Sequence, residues 1–463
     1  MFTFTLSNKF LACALVIFAL LISLFWLVSG CNGNAENRDG QPDYDTSPNI
    51  ILIMTDDQGF ETIGAYGGET YQTPVVDKLA ETGIRFNEAH ATPVCTPTRV
   101  KIMSGKYNSR NYIGFGEMDP EIYTFGNLFQ DNGYATFIGG KWQLGGDLES
   151  PYEFGFDEYA LWQVTRRGRG DNPIANRYPN PGLAINGEKA DFFEGEYGPD
   201  IINDHVLDFI ERHQEGPFLV YYPMILPHWP FEPTPDSPTW DPAARQGDDE
   251  EQPGRGDEAY FVDMVEYTDK LVGRTIDKLE ELGLRENTLI IFTSDNGTDR
   301  GIVSMVNGEE FVGAKLSLTK GGTHVPLIAN WPGIIPEGIV NNNLIGFTDF
   351  FPTLAEIAGL EIPDDLELDG QNIAPVLYGE DAELRDWLYM WMFRNNDPDG
   401  PGGEFARTHQ YKYYPDGRFY DLSQDPLEEH SPIALDELSE EQKEVLNRLQ
   451  KIIKENTREG FYD

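Results

Sequence analysis

The sequence has only three cysteines in 463 residues, and it is poor in positive charge, with 34 Lys and Arg against 78 Asp and Glu. Cys13 lies inside an N-terminal apolar run and Cys31 ends it. Cys95 therefore stands alone in the body of the chain, and an internal disulfide framework is excluded. The formal net charge of −44 argues against nucleic acid as a partner, because such binding rests on lysines and arginines that neutralise phosphates. Any site for an anion must be a local basic cluster set against that field. What is present suffices for a large core, since 40% of the residues are hydrophobic and 13% aromatic. There is no internal repeat.

Phe10 to Val28 carries no charge, and Val28–Cys31 reads VSGC. Small residues before a cysteine at the end of an apolar run resemble a bacterial lipobox, in which cleavage before Cys31 leaves its thiol to be lipidated. An uncleaved anchor is the alternative, as the run is nearly long enough to span a bilayer. Both readings predict an exported protein, periplasmic or at the cell surface and held to a membrane. Residues 1–31 are thus expected to be a signal segment. Residues 32–47, polar and rich in Gly, Pro and Asp, are expected to be a flexible tether.

Four short apolar runs then read as strands buried on both faces of a parallel sheet. Ile50–Met54 runs into Asp56 and Asp57, and Leu289–Phe292 into Asp295 and Asn296. Ala135–Ile138 precedes Lys141, and Phe218–Tyr222 precedes His228. In open α/β sheets ligands bind beyond the carboxyl ends of strands. The first two runs, side by side, would gather three carboxylates and an amide. Like charges raise one another's pKa values, and a divalent cation resolves the conflict. Hard oxygen donors favour Ca²⁺ or Mg²⁺ over zinc. Alone, each Asp-rich stretch is ordinary turn chemistry; it is the matched pair that points to a metal.

Cys95 sits between Pro93 and Pro97, with Arg99 four residues on. A helix starting near Pro97 would place Cys95 close to its N-terminus, where free N–H groups favour anions. A small buried cysteine is the plain alternative. The stretch Cys95-Thr96-Pro97-Thr98-Arg99 resembles the C-x-P-x-R signature of formylglycine-dependent sulfatases, of the alkaline phosphatase superfamily. In the order found in that family follow SGKYNSRN (104–111), GKWQLG (140–145), PHWP (227–230), SDNG (294–297) and KGGTHVP (320–326), with the Asp56-Asp57 pair before them and YKYYPDGRFYDLSQDP (411–426) after.

The resemblance implies an α/β fold: a large mixed, mostly parallel sheet sandwiched by helices, alkaline-phosphatase-like, with a small C-terminal antiparallel sheet plus helix. It places the catalytic domain at 48–382 and a C-terminal α+β subdomain at 383–463. It implies that a maturation enzyme oxidises Cys95 to formylglycine, and that one Ca²⁺ is bound by Asp56, Asp57, Asp295, Asn296 and an oxygen of the modified Cys95. The reaction implied is hydrolysis of a sulfate monoester by covalent catalysis, in which the hydrated aldehyde attacks sulfur. Arg99 is implied to orient the diol, Lys141 and His228 to contact sulfate, His228 to protonate the leaving oxygen, and Lys315 to contact the leaving side. Two residues depart from the family: Gln143 stands where histidine is frequent, and Lys320 where an acidic residue is usual.

The substrate expected is a sulfated poly- or oligosaccharide, or a small sulfate ester. A phosphate or phosphonate ester hydrolase of the same superfamily is one alternative, and a non-catalytic binder of sulfated glycans another. Arg166, Arg167, Arg169 and Arg177 line either a further anion subsite or a solvated loop. Residues 236–258 read as a surface loop and 259–283 as a helix stopped by Gly283. Trp387–Phe393 reads as a strand, and a hairpin is expected at Asp416-Gly417. Ser439 and Gln442 form a capping box ahead of a stripe of Val445, Leu446, Leu449, Ile452 and Ile453.

Overall fold

The computed structural model describes residues 47–165, 176–243 and 256–461. The N-terminal signal segment with Cys31, nearly all of the tether, Arg166, Arg167, Arg169 and the middle of the 236–258 loop lie outside the described residues.

The strands are β1 (Asn49–Thr55), β2 (Ile84–His90), β3 (Ala135–Lys141), β4 (Glu158–Trp162), β5 (Gly182–Ile185), β6 (Glu188–Asp191), β7 (Phe218–Pro223), β8 (Thr288–Ser294), β9 (Val303–Val306), β10 (Glu309–Val312), β11 (Leu327–Asn330), β12 (Ile339–Gly346), β13 (Leu388–Phe393), β14 (Gly402–Arg407), β15 (Tyr411–Tyr413) and β16 (Phe419–Asp421). The longer helices are α1 (Pro74–Glu81), α2 (Cys95–Ser104), α3 (Phe125–Asp131), α4 (Gly198–Arg212), α5 (Phe261–Glu281), α6 (Phe350–Ala358) and α7 (Glu440–Asn456).

Ten strands make one mixed sheet in the order β12-β2-β11-β8-β1-β7-β3-β4-β5-β6. β1 pairs in parallel with β7 and β8, and β3 with β7 and β4, whereas β11 and β5 run against their neighbours. The four runs read as strands from the sequence are thus the adjacent block β8-β1-β7-β3, and all four deliver their carboxyl ends to one rim.

The apolar runs reflect burial on two faces. Ile50, Leu52 and Met54 of β1 enter one hydrophobic cluster with residues of α2, α3 and α6. Ile51 and Ile53 enter the other, with residues of α1, α4 and α5. Alternate residues of a strand face opposite sides, so a strand that feeds two cores must be apolar throughout.

β13–β16 form an antiparallel sheet, and β15 and β16 meet in the hairpin at Asp416-Gly417, with Gly417 at φ 95°. Ser439 Oγ accepts from Gln442 N and Gln442 Oε1 accepts from Ser439 N, which closes the capping box of α7. Leu446, Leu449, Ile452 and Ile453 of α7 join Tyr389, Trp391 and Phe393 of β13 in the same cluster as α2. The C-terminal sheet meets the helix that carries Cys95 where Lys101 Nζ donates to the Met390 thioether of β13 at 3.4 Å.

Candidate active site

β1 and β8 pair in register from Asn49–Thr288 to Thr55–Ser294, which brings Asp56, Asp57, Asp295 and Asn296 together with no exposed surface. Two hydrogen bonds lock the strand ends: Asp295 N donates to Thr55 O at 3.0 Å, and Asp57 N to the Asp295 side-chain Oδ1 at 3.2 Å. Asp57 has φ 66°, Gln143 φ 54° and Leu316 φ 73°. Left-handed backbone at non-glycine residues is costly and gathers at functional sites. At Gly140 a Cβ would stand 1.8 Å from Pro223 O, so only glycine lets β3 lie close enough to β7 to present Lys141.

α2 begins at Cys95, slightly earlier than the start near Pro97 expected from sequence. Cys95 Sγ lies 3.4 Å from Asp56 Oδ1 and 3.8 Å from Asp57 Oδ1. One turn on, Arg99 donates from Nε and Nη2 to Asp295 Oδ2 at 3.1 and 2.7 Å, and from Nη1 to the Lys141 carbonyl at 2.8 Å. Lys141 Nζ donates to both oxygens of Asp56 at 2.9 and 2.7 Å, and Lys315 Nζ to Asp57 Oδ2 at 2.6 Å. Three buried cations thus face three buried carboxylates.

Electrostatics follow from that pairing. Burial alone would raise the Asp56 carboxyl, but Lys141, His228, Arg99 and Lys315 together hold it well below the usual range. Burial raises Asp57 despite Lys315, and it lifts Asp295 to about 6, with Asp56 adding repulsion. Burial also pushes the Cys95 thiol far up, so as a plain thiol it is a poor nucleophile.

His228 follows β7 within PHWP, flanked by the cis peptides Leu226-Pro227 and Trp229-Pro230. Its Nε2 lies 3.6 Å from Asp57 Oδ2, and its Nδ1 2.5 Å from the Trp229 carbonyl and 3.0 Å from Arg177 Nη1. Burial drives its pKa well below the ordinary value. Arg177 is itself stacked on Trp162, 3.9 Å from guanidinium to ring centroid.

A metal is testable against the donors. Asp56, Asp57, Cys95 and His228 each offer a ligand atom, all within 4.8 Å of one another. Asn296 donates through Nδ2 to Asp57 Oδ1 at 2.8 Å, which leaves its Oδ1 buried without a partner among the described residues. A buried unsatisfied carbonyl beside three carboxylates fits a hard cation such as Ca²⁺.

Every candidate residue converges here: Asp56, Asp57, Cys95, Arg99, Lys141, His228, Asp295, Asn296 and Lys315. Gln143 borders the site, its Oε1 accepting from Thr96 Oγ1 at 3.2 Å. Lys320 does not join it and lies over the Phe60 ring, 5.0 Å from its centroid. The sequence reading missed two supports. Thr96 fixes Gln143, and Arg177, read from sequence as lining either an anion subsite or a solvated loop, reaches His228. Neither contact has a local signature.

The sulfatase family profile matches residues 48–360, and a profile described as N-sulphoglucosamine sulphohydrolase, C-terminal, matches residues 314–456. The chain is 30% identical over 374 residues to N-acetylgalactosamine-6-sulfatase of Canis lupus familiaris, covering 74% of this chain and 68% of that one. It is 27% identical over 468 residues to the ulvan-active sulfatase of Formosa agariphila, covering 94% and 86%. The crystal structure of Ps i-CgsB matches with a TM-score of 0.73 at 24% identity over 90% of this chain and 94% of that one.

Proposed function

This chain belongs to the sulfatase family and is a sulfuric ester hydrolase, and on that premise we propose that it removes sulfate from a sulfated poly- or oligosaccharide, with Cys95 oxidised to formylglycine and one Ca²⁺ held by Asp56, Asp57, Asp295, Asn296 and the modified Cys95. The observation that carries this reading is Cys95 Sγ, 3.4 Å from Asp56, at the centre of a buried ring of Arg99, Lys141, His228 and Lys315. That ring supplies the local positive field that a chain of net charge −44 otherwise lacks. Carbohydrate is supported by two relatives, one named for N-acetylgalactosamine-6-sulfate and one for activity on ulvan.

When bound, Ca²⁺ supplies Lewis-acid withdrawal from the sulfate oxygens. The hydrated aldehyde supplies one hydroxyl to attack sulfur and a second whose deprotonation frees sulfate. The chain's own residues do the rest. Arg99, tied to Asp295 and to the Lys141 carbonyl, holds residue 95 in place. Lys141 and Lys315 bind sulfate oxygens, exchanging part of their bonding to Asp56 and Asp57 for the ester. His228 keeps Nδ1 against the Trp229 carbonyl, so Nε2 faces the reaction and gives the leaving oxygen its proton. The negative charge of an arriving ester favours the imidazolium that burial disfavours.

We assign catalysis to residues 48–382, with 383–463 a supporting subdomain. We place the enzyme outside the cytoplasm, held to a membrane by lipid on Cys31. Mass spectrometry of the Cys95 peptide from active enzyme, with sulfate release from sulfated oligosaccharides assayed beside phosphate esters, tests the reading. Formylglycine and a preference for sulfate are expected; an active preparation with only unmodified cysteine overturns the mechanism.

A further inference from the structure

Lys101 lies further along α2, on the same helix as Cys95, with 3% of its surface exposed. An ammonium has three donors to satisfy. This one donates to the thioether of Met390 on β13 at 3.4 Å and to no oxygen, and it forms no ion pair among the described residues. Thioether sulfur is a weak acceptor.

Arg385 is the second cation here. Its Nη2 donates to both oxygens of Asp349 at 2.6 Å, but its Nε is buried with no hydrogen-bond partner among the described residues. Both side chains line one small cavity of about 10 Å³ between α2 and β13, walled also by Tyr107, Phe347, Leu388 and Met390. The local charges do not cancel. Asp349 is matched by Arg385, and Asp369 by Arg110 at 2.5 Å, which leaves Lys101 over. Buried polar groups are nearly always satisfied, and buried charges are paired.

We propose that this cavity binds one small monovalent anion, a halide such as chloride, through the Lys101 ammonium and Arg385 Nε. One negative charge restores the balance, and an ammonium held only by a thioether, together with the unpartnered Arg385 Nε, defines where it sits. The free interior admits a single water-sized body, which suits chloride and is too small for sulfate. Walls of Phe347, Leu388 and Met390 suit a weakly hydrated ion. The direction of the Lys101 pKa agrees: without an anion, burial and then the Arg385 charge pull it down to about 7. His90, which also lines the cavity, is kept neutral by burial and by Arg407, with a pKa of about 4, so it adds no competing charge. Such an ion would join the helix carrying Cys95 to the C-terminal sheet.

The experiment uses the full calcium-loaded protein in gluconate, with chloride or bromide titrated in at constant ionic strength. The expected result is a saturable rise in Tm of roughly 2–5 °C at full occupancy, absent from Lys101→Met. Crystals of the wild-type protein in bromide, which do not depend on how the variant folds, should show one anomalous peak between Lys101 Nζ and Arg385 Nε. Equal Tm in gluconate and halide, a halide response that Lys101→Met retains, or no bromide peak in the cavity overturns the proposal. A Lys101-dependent rise with sulfate but not with halide overturns the choice of ion.

Discussion

Arg177 Nη1 stands 3.0 Å from His228 Nδ1, joining two loops 51 residues apart at the edge of the candidate active site. Burial first, then Lys141, Lys315 and Arg177, lower the His228 pKa against the pull of Asp56. A general acid works only while protonated, so activity should fall as pH rises through that pKa. Arg177→Met removes one cation that disfavours the imidazolium, and the fall should move to higher pH. Pre-steady-state or steady-state kcat against pH reads this directly. A lower kcat with an unmoved basic limb would show that Arg177 only positions the ring.

Asn296 provides the sharpest test of the metal. Its Oδ1 is the one ligand oxygen expected from the sequence that no side chain or backbone group of the described residues satisfies. Asn296→Ala should raise the free Ca²⁺ needed for half-maximal activity by roughly tenfold or more, about 1.4 kcal/mol. Asn296→Asp, which keeps an oxygen there, should lose less. Titrating Ca²⁺ into chelated enzyme while following both activity and Tm separates loss of binding from loss of fold. Full activity after proven metal removal would contradict the assignment.

Glu61 sets a pH dependence of stability. It is 1% exposed, and burial lifts its carboxyl from 4.5 to about 7, which Thr298 and Lys320 only partly offset. The folded state therefore holds the proton more tightly than the unfolded state. Stability from this group is lost as pH rises between about 4.5 and about 7. Glu61→Gln should be more stable than wild type at pH 8, on the order of 3 kcal/mol at most, and nearly equal to it at pH 4.5. Denaturation midpoints at the two pH values check it; a gap that does not change with pH is the contrary outcome.

The parts of this molecule that were legible in the sequence are those where burial or chemistry is concentrated in a few adjacent residues. β1 and β8 could be read because a strand serving two cores must be apolar at every position, and because each ends in carboxylates. The cap of α7 could be read because Ser439 and Gln442 are three residues apart. The order of strands could not, since nothing in Leu327–Asn330 says that β11 inserts antiparallel between β2 and β8. Lys101 was likewise silent. A lysine six residues after Cys95 carries no local sign of burial, which comes from tertiary neighbours such as Met390 of β13. Arg177 and His228 meet through tertiary structure alone.

Gln143 raises the last question, the base for sulfate release. Thr96 Oγ1 donates to Gln143 Oε1 at 3.2 Å, so the amide is fixed beside residue 95. An amide can hydrogen-bond but cannot accept the proton that a histidine there would take, and general-base help is typically worth ~10²–10⁴-fold. Among nearby carboxylates, Asp56 is close at 3.4 Å from Cys95 Sγ, yet Lys141 and the other cations hold its pKa too low for a useful base. Asp57, at 3.8 Å, is raised by burial before any cation binds, and of these two it is the better acceptor. If Asp57 takes the proton, Gln143→His should change turnover by less than about tenfold, because that step already has a base. Asp57→Asn should instead give a rapid first release of alcohol followed by slow turnover, provided calorimetry shows that Ca²⁺ is still bound. A hundredfold gain in Gln143→His, with no such burst in calcium-loaded Asp57→Asn, would mean that the enzyme works without a dedicated base and that its second step is simply slow.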